Sequence, residues 1–329
     1  MEEQKHRMLE LLQVNKGFAQ PERWIDYGIE HNFQRVQAEK LKECPDCSNR
    51  SFRFFGQYVY YSTLISLQEC AHCGLIFSDT RIDSQVIQSH WEHAYKDENY
   101  FQYKRSRIFN QIAKLVGNFA PQNGSVLDIG GSKGHLMAIL KQHRHDLTLV
   151  LNDISKTTCD FAASQYGLET ICGGVKTLEQ IPLHFDVVIM SDVICYEPEL
   201  NRFWKLLPHL VSSGGTVIIR GPNKLPLIRL CRFIEQFTIA SEKQKMQSHI
   251  RFFNPELLYI FSRHYLLTKL RNLGFSQVMT MPSELLIENK KFRYALLCYS
   301  YFAKALSIFS HNKLIITPGF LTIARKQAE

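Results

Sequence analysis

Short apolar runs followed by polar or glycine-containing turns mark the middle of the chain. Val126 and Leu127 precede such a turn, and apolar residues at helical spacing follow it: Leu136, Met137, Ile139 and Leu140. A second apolar run, residues 147–151, ends at Asn152 and Asp153. Strand, glycine turn and helix in this order predict an α/β arrangement in which backbone N–H groups approach a nucleotide-like cofactor.

Four other segments have a clear hydrophobic pattern. Residues 1–40 have helical spacing and are expected to serve packing or oligomer contacts. Residues 52–68 are typical of strands. Lys224–Gln247 contains an amphipathic basic helix, expected to form a lid over a binding site. Phe292–Phe309 predicts a strongly aromatic helix that suits core covering, a dimer contact or a membrane surface.

Length, composition and charge narrow the class of protein. The 329 residues are 45% hydrophobic, which allows a sizeable core and more than one module. The first ten residues are charged, and the longest uncharged run, Phe54–Gln68, is too short to span a membrane, so we expect a cytoplasmic protein. Residues 220–329 hold 17 Lys and Arg against 6 Asp and Glu, which suits an anionic substrate, a membrane surface or RNA. A solvated face without a partner is an equal alternative. Because the charges are dispersed, nucleic acid is not favoured.

Two matched cysteine pairs precede the glycine turn. Cys44 and Cys47 form the first C-x2-C pair, Cys70 and Cys73 the second, and 22 residues separate the pairs. This spacing predicts a four-thiolate zinc ribbon with a structural metal, since four protein ligands leave no open position for catalysis. Iron in place of zinc, disulfides and a redox site are the alternatives, and the last two are disfavoured.

The segment from Asp128 to Gly134, DIGGSKG, resembles motif I of class I S-adenosylmethionine-dependent methyltransferases. Phe185–Leu200, Leu210–Asn223, Leu270–Met279 and Pro318–Lys326 resemble the later strands of that fold, in the order it requires. The resemblance implies a Rossmann-like, seven-stranded α/β core over residues 83–329, with a lid-like insertion at 224–265. A zinc ribbon at 41–82 and a helical segment at 1–40 would precede it.

The resemblance also implies the cofactor contacts. Asp128 would order the amino group of S-adenosylmethionine, and Asp153 would bind its ribose, with Asn152 as the fallback. The other implied contacts are Gly130, Gly131 and Gly134 in the turn, Val175 near adenine, and Ser191 and Asp192 after the fourth strand.

With its N-terminal ribbon, the chain is similar to bacterial sugar C-methyltransferases that act on nucleotide-linked sugars, and to relatives in polysaccharide and secondary-metabolite pathways. That similarity implies His249 as general base, ahead of a helix expected at Pro255–Tyr265. The Glu-His of relatives is replaced by Cys195 and Tyr196, and Tyr196 either orients the acceptor or packs under the loop.

Four further residues are candidate acceptor contacts. Arg220 and Arg251 would bind a diphosphate. Tyr95 and Tyr100 would line the acceptor pocket or pack the ribbon onto the core. A homodimer and a peripheral membrane contact are compatible with the sequence. Rival functions are methylation of RNA, methylation of a lipid or quinone, and cofactor binding without catalysis.

Overall fold

A computed structural model of the chain describes residues 24–29, 32–60, 63–82, 102–235, 237, 257–285 and 293–328. Its strands are β1 (Trp24–Ile29), β2 (Asn32–Lys40), β3 (Phe52–Tyr60), β4 (Thr63–Cys70), β5 (Ile76–Ser78), β6 (Thr80–Ile82), β7 (Ser125–Ile129), β8 (Thr148–Asp153), β9 (Glu169–Cys172), β10 (Phe185–Ser191), β11 (Val211–Pro222), β12 (Tyr259–Ile260), β13 (Phe275–Pro282) and β14 (Gly319–Lys326). Its helices are α1 (Gln102–Phe119), α2 (His135–His143), α3 (Lys156–Tyr166), α4 (Val175–Leu178), α5 (Leu200–Leu210), α6 (Leu225–Glu235), α7 (Arg263–Asn272) and α8 (Arg293–Phe309).

A seven-stranded sheet forms the centre of the molecule, in the order β13-β14-β11-β10-β7-β8-β9. Strand β14 is antiparallel to both neighbours, β11 and β13, and the other pairs in the sheet are parallel. This confirms the α/β methyltransferase-like fold that the sequence predicts. The carboxyl ends of β7, β8 and β10 therefore meet at one edge, where ligands bind in open α/β sheets.

Helices cover both faces of the sheet because its central strands are apolar on both sides. Alternate residues of β10 enter different clusters: Val187 and Ile189 pack with α1 and α2, whereas Val188 and Met190 pack with α5 and α7. Each of these four residues is fully buried. The sheet is thus fixed between two apolar layers, and its loops are left to form a site.

The cysteine-containing module is joined to the core rather than separate from it. Its strands continue into the core in a four-stranded sheet of order β12-β5-β4-β3, in which Tyr259 pairs with Phe77. The strands expected in residues 52–68 are confirmed. Because β12 belongs to the segment after β11, the ribbon expected at 41–82 is completed by core residues.

Two expected helices are wrong. Where the sequence predicts helix within residues 1–40, the structure has β1 and β2, and β2 pairs with β6. Where it predicts a helix at Pro255–Tyr265, the described part contains β12, and α7 begins only after its N-cap, Ser262. Strand pairing overrides the local periodicity in both places, through β1 and β6 for β2 and through β5 for β12.

The remaining helix predictions agree with the structure where it describes them. The lid-like insertion contributes α6, and the aromatic helix is α8. Residues 1–23, 236 and 238–256 lie outside the described residues. Among the helices that the structure does describe, none has the length and apolar character needed to cross a bilayer.

Candidate active site and cysteine cluster

The turn after β7 brings backbone to the carboxyl edge of the sheet. Gly130, Ser132 and Gly134 have φ of 67°, 51° and 77°, the left-handed region that favours glycine. A Cβ at Gly130 would lie 2.3 Å from Cγ2 of Val193, and one at Gly131 would lie 2.8 Å from Oδ2 of Asp128. Positions 130 and 131 therefore require glycine, and the turn leads directly into α2.

Two buried carboxyl groups lie beside this turn, on the adjacent strands β7 and β8. Asp128 is 2% exposed and Asp153 is 3% exposed. Asp153 accepts hydrogen bonds from the backbone N–H groups of Ser132 (2.8 Å) and Ser155 (2.9 Å). Burial raises the pKa of Asp128 to about 8, and the charge of Asp153 adds to this shift. These acidic groups fit the cationic amino group and ribose hydroxyls of S-adenosylmethionine.

Asn152 and Val175 lie on the side of the turn nearer β9. Asn152 donates from Nδ2 to the carbonyls of Ile171 (2.9 Å) and Gly173 (2.8 Å), so its amide holds the end of β9. This leaves Asp153 as the better placed of the two candidate ribose ligands. Val175 is 4% exposed and begins α4, directly after Gly173 and Gly174. Adenine is expected to lie beside this segment.

Two arginines converge on Asp192 at the end of β10. Oδ2 of Asp192 contacts Nη2 of Arg105 at 2.9 Å and forms a close ion pair with Arg220. Arg220 also donates from Nε to Ser283 (3.2 Å), and it is 7% exposed. Asp192 and Ser283 thus contact the guanidinium of Arg220, the group expected from the sequence to bind a diphosphate. Asp192 has a positive φ of 61°, and neither its Oδ1 nor Oγ of Ser191 has a hydrogen-bond partner among the described residues.

The loop after β10 places Cys195 inward and Tyr196 nearer the surface. Cys195 is 1% exposed and burial raises its pKa, which makes it a poor nucleophile. Tyr196 is half-buried against the apolar cluster. Glu197 follows, and burial raises the pKa of its carboxyl group.

Several candidate residues fall where the structure is not described. His249, Arg251, Tyr95 and Tyr100 lie outside the described residues. Arg105 was missed by the sequence reasoning. Its position in the helix before β7 carries no motif, and only the tertiary fold brings it to Asp192.

The four cysteines expected to bind metal form one cluster. The Sγ atoms of Cys44, Cys47, Cys70 and Cys73 all lie within 4.8 Å of one another. Two of the separations, Cys44 to Cys73 and Cys47 to Cys70, are 3.6 Å. A tetrahedral ion with thiolates at about 2.3 Å would separate its sulfurs by about 3.8 Å. The cluster therefore fits a four-coordinate metal, and the cysteines are free of disulfides.

A buried polar chain connects the first cysteine pair to the core. Asp46, between Cys44 and Cys47, is 4% exposed and forms an ion pair with Lys269 of α7. On the same helix, the hydroxyl of Tyr265 accepts a hydrogen bond from Nε1 of Trp204 (3.0 Å).

Backbone hydrogen bonds connect the four-stranded sheet, in which Cys70 ends β4, to the loop after β10. Ser78 of β5 donates to the carbonyl of Leu258 (2.9 Å), and Leu258 donates to that of Cys195 (2.9 Å). The four-cysteine module thus supports the loop that contacts the glycine turn.

Comparison with known proteins gives a family for this geometry. A family model described as a methyltransferase domain matches residues 100–279. Among solved structures, a SAM-dependent methyltransferase from Archaeoglobus fulgidus is 16% identical, with 68% of this chain and 94% of that chain covered and a TM-score of 0.44.

Two further solved structures are similar. A chain of the complex between the Haloferax volcanii Trm112 methyltransferase activator and a putative methyltransferase is 12% identical, with 72% and 97% covered and a TM-score of 0.49. The plantazolicin methyltransferase BamL, in complex with an analogue and SAH, is 15% identical, with 73% and 91% covered and a TM-score of 0.45. No curated protein matches the chain.

Proposed function

The chain belongs to the methyltransferase-domain family, whose model matches just over half of it, and from this we propose that its methyl acceptor is a nucleotide-linked sugar. S-adenosylmethionine supplies an electrophilic methyl group when bound at the β7 turn. The proposal concerns what lies opposite that methyl group and which residues remove the acceptor's proton.

The cluster of two guanidinium groups and one carboxylate at the end of β10 supports an anionic acceptor. Arg105 and Arg220 both pair with Asp192, and all three side chains are at most 18% exposed. Positive charge at a poorly solvated edge attracts anions strongly, because little water screens it. A diphosphate at this edge would be attracted by the two guanidinium groups, with Arg251 as a further proposed contact.

Carbon is the proposed acceptor atom, with His249 as the base. Methylation next to a carbonyl requires loss of a C–H proton as the new C–C bond forms, and an imidazole that titrates near neutrality suits this step. Tyr196 is proposed to orient the acceptor, and Tyr95 and Tyr100 to line its pocket. Ser191 and Asp192 are proposed to complete the cofactor site, together with the glycine turn, Asp128, Asp153 and Val175.

Zinc is the proposed ion for the four-cysteine cluster, in a structural role. Four thiolates match its tetrahedral preference and leave no position for a reacting water. A cytoplasmic location is part of the proposal, because the cysteine ligands must stay reduced.

The proposal is tested by incubating the protein with methyl-labelled S-adenosylmethionine and an extract of its host, then separating nucleotide sugars, RNA and lipid. We expect label in the nucleotide-sugar fraction. Asp153→Ala should abolish labelling because it removes the proposed ribose ligand. His249→Gln should lower it by about 100-fold or more, since general-base catalysis contributes about that much. His264→Gln, which changes an exposed histidine on α7, is the matched control.

A second readout separates the base from general damage to the site. With the demethylated cofactor bound, the enzyme should exchange the acceptor's C–H for deuterium in D2O, and His249→Gln should stop this exchange while leaving cofactor affinity unchanged. Label in RNA or lipid alone would overturn the sugar acceptor. Retained exchange in His249→Gln would overturn the base assignment.

A further inference from the structure

Helix α8 carries its large apolar side chains on the outside. The residues that face solvent follow a helical stripe of Tyr294, Cys298, Tyr301, Phe302, Ala305, Ile308 and Phe309. Phe302 is 62% exposed and Phe309 is 85% exposed, whereas the small residues Ser300, Ala303 and Ser307 are buried against the protein. A surface helix ordinarily has the opposite arrangement, with its apolar stripe on the core. The exposed stripe of α8 therefore suits contact with an apolar surface or layer outside the protein.

Polar contacts fix the rotation of α8 about its axis. Lys304 forms an ion pair with Glu284, and the hydroxyl of Tyr299 donates to the carbonyl of Ile316 (2.6 Å). Oγ of Ser307 donates to Oδ1 of Asn312 (2.6 Å). The first two contacts hold one side of the helix against the segments before and after it, whereas the third is local to the turn that ends the helix. Turning the aromatic stripe inward would break them, so its exposure is a property of the folded domain.

The sequence of α8 and the turn after it carries no acidic residue. Residues 293–313 contain three Lys and Arg and no Asp or Glu, and of these cations Lys304 pairs with Glu284 outside the segment. Two copies of this chain that paired through the stripe would bring two basic segments together, and like charges oppose such a contact. An anionic surface would instead be attracted by the same residues, and aromatic rings are favoured where an apolar layer meets charged headgroups.

A second helix with exposed apolar side chains, α6, begins near the loop that follows α8. Asn223, just before α6, donates from Nδ2 to the carbonyls of Ile315 (2.9 Å) and Thr317 (3.0 Å) in the loop that follows α8. Helix α6 exposes Phe233, whose ring lies 5.2 Å from that of Phe237. Both helices lie next to the carboxyl end of β11, the sheet edge that carries the cofactor turn.

We propose that α8, with α6 beside it, docks the enzyme on an anionic lipid bilayer. The aromatic stripe enters the headgroup layer, and the surrounding Lys and Arg bind the lipid headgroups. The active-site edge would then lie close to the membrane surface. This inference does not depend on the identity of the methyl acceptor.

Vesicle flotation of the full-length protein tests the proposal. We expect binding to phosphatidylcholine vesicles that contain about one third phosphatidylglycerol, weak binding to pure phosphatidylcholine, and loss of binding as salt is added. The double variant Phe302→Ser, Phe309→Ser should lower the partition coefficient by at least about tenfold, because two exposed rings no longer enter the lipid. Both residues are exposed, so folding should be retained.

Phe54→Ser, which removes a ring that is 64% exposed on β3, is the matched control and should bind as the unaltered protein does. Equal binding to neutral and anionic vesicles, or an equal loss in the Phe54 control, would overturn the proposal. So would a dimer, measured by light scattering, that the double variant converts to a monomer without any vesicle binding by the unaltered protein.

Discussion

At the scale of single residues, Asp128 and Asp153 are close in space but differ in how their charges are stabilised. Asp153 accepts two backbone hydrogen bonds, which stabilise its carboxylate form. Burial raises the pKa of Asp128 to about 8. Near neutral pH, Asp128 is therefore largely protonated in the ligand-free protein. A cationic group placed beside it would favour the ionised form.

Cofactor binding should consequently release a proton from Asp128. If the cofactor's amino group binds the carboxylate form, apparent affinity should rise by up to about tenfold per pH unit below pH 8 and level off above it. The sign for folding is opposite. Since the folded pKa of Asp128 lies above the ordinary value of an aspartate, about 3.9, this group makes ligand-free stability fall as pH rises from about 4 to 8.

Calorimetric titration of the protein with cofactor, in two buffers of different ionisation enthalpy, measures this proton directly. Asp128→Asn should bind more weakly and with no proton release. Asp160→Asn, an exposed carboxylate paired with Lys156 on α3, should retain the dependence of the unaltered protein. A pH-independent affinity in the unaltered protein would contradict the prediction.

At the scale of elements, the hydrophobic pattern of the sequence predicts some strands and helices and misses others. The apolar run that ends at Asn152 and Asp153 forms β8, and the aromatic helix differs from α8 by one residue at its start. Strand β2 reads as helix because the spacing of its apolar residues does not show its pairing with β1 and, some forty residues away, with β6. The same is true of β12, whose partner β5 is far back in the chain.

The candidate site divides in the same way. The glycine turn, Asp128 and Asp153 belong to short motifs around single strand ends, so the sequence identifies them. The contacts of Arg105 with Asp192 and of Asp46 with Lys269 join distant segments. No spacing in the sequence records these pairs, and only folding brings them together.

The four-cysteine element should matter to stability more than a peripheral loop would. Cys70→Ser removes one thiolate, leaves a buried hydroxyl in the cluster, and should lower both metal content and the melting temperature, the latter by at least about 10 °C. Metal analysis with differential scanning calorimetry checks both effects. Cys298→Ser, at an exposed cysteine on α8, should change neither. Full metal content in the Cys70 variant would contradict the assignment of these ligands.

At the scale of the whole molecule, the ribbon and the methyltransferase core have one hydrophobic interior. Cys44, Cys70 and Phe77 lie in the same buried cluster as Trp204 and residues of the central sheet. The β5–β12 pairing and the ion pair of Asp46 with Lys269 cross the same boundary. A module that folded alone would instead have its own core and a polar contact surface. The two parts should therefore unfold together.

Denaturant unfolding followed by two probes tests this cooperativity. A chromogenic chelator reports release of the metal, and far-UV circular dichroism reports the central sheet and its helices. We expect coincident midpoints, because opening the cysteine cluster exposes Phe77 and Tyr259 and removes the support of the loop after β10. Lys269→Met, which leaves Asp46 as a buried charge without its ion pair, should move both midpoints downward together by a similar amount. Release of metal well before loss of the dichroism signal would mean that the ribbon opens independently. The loop after β10 would then retain its structure without the metal.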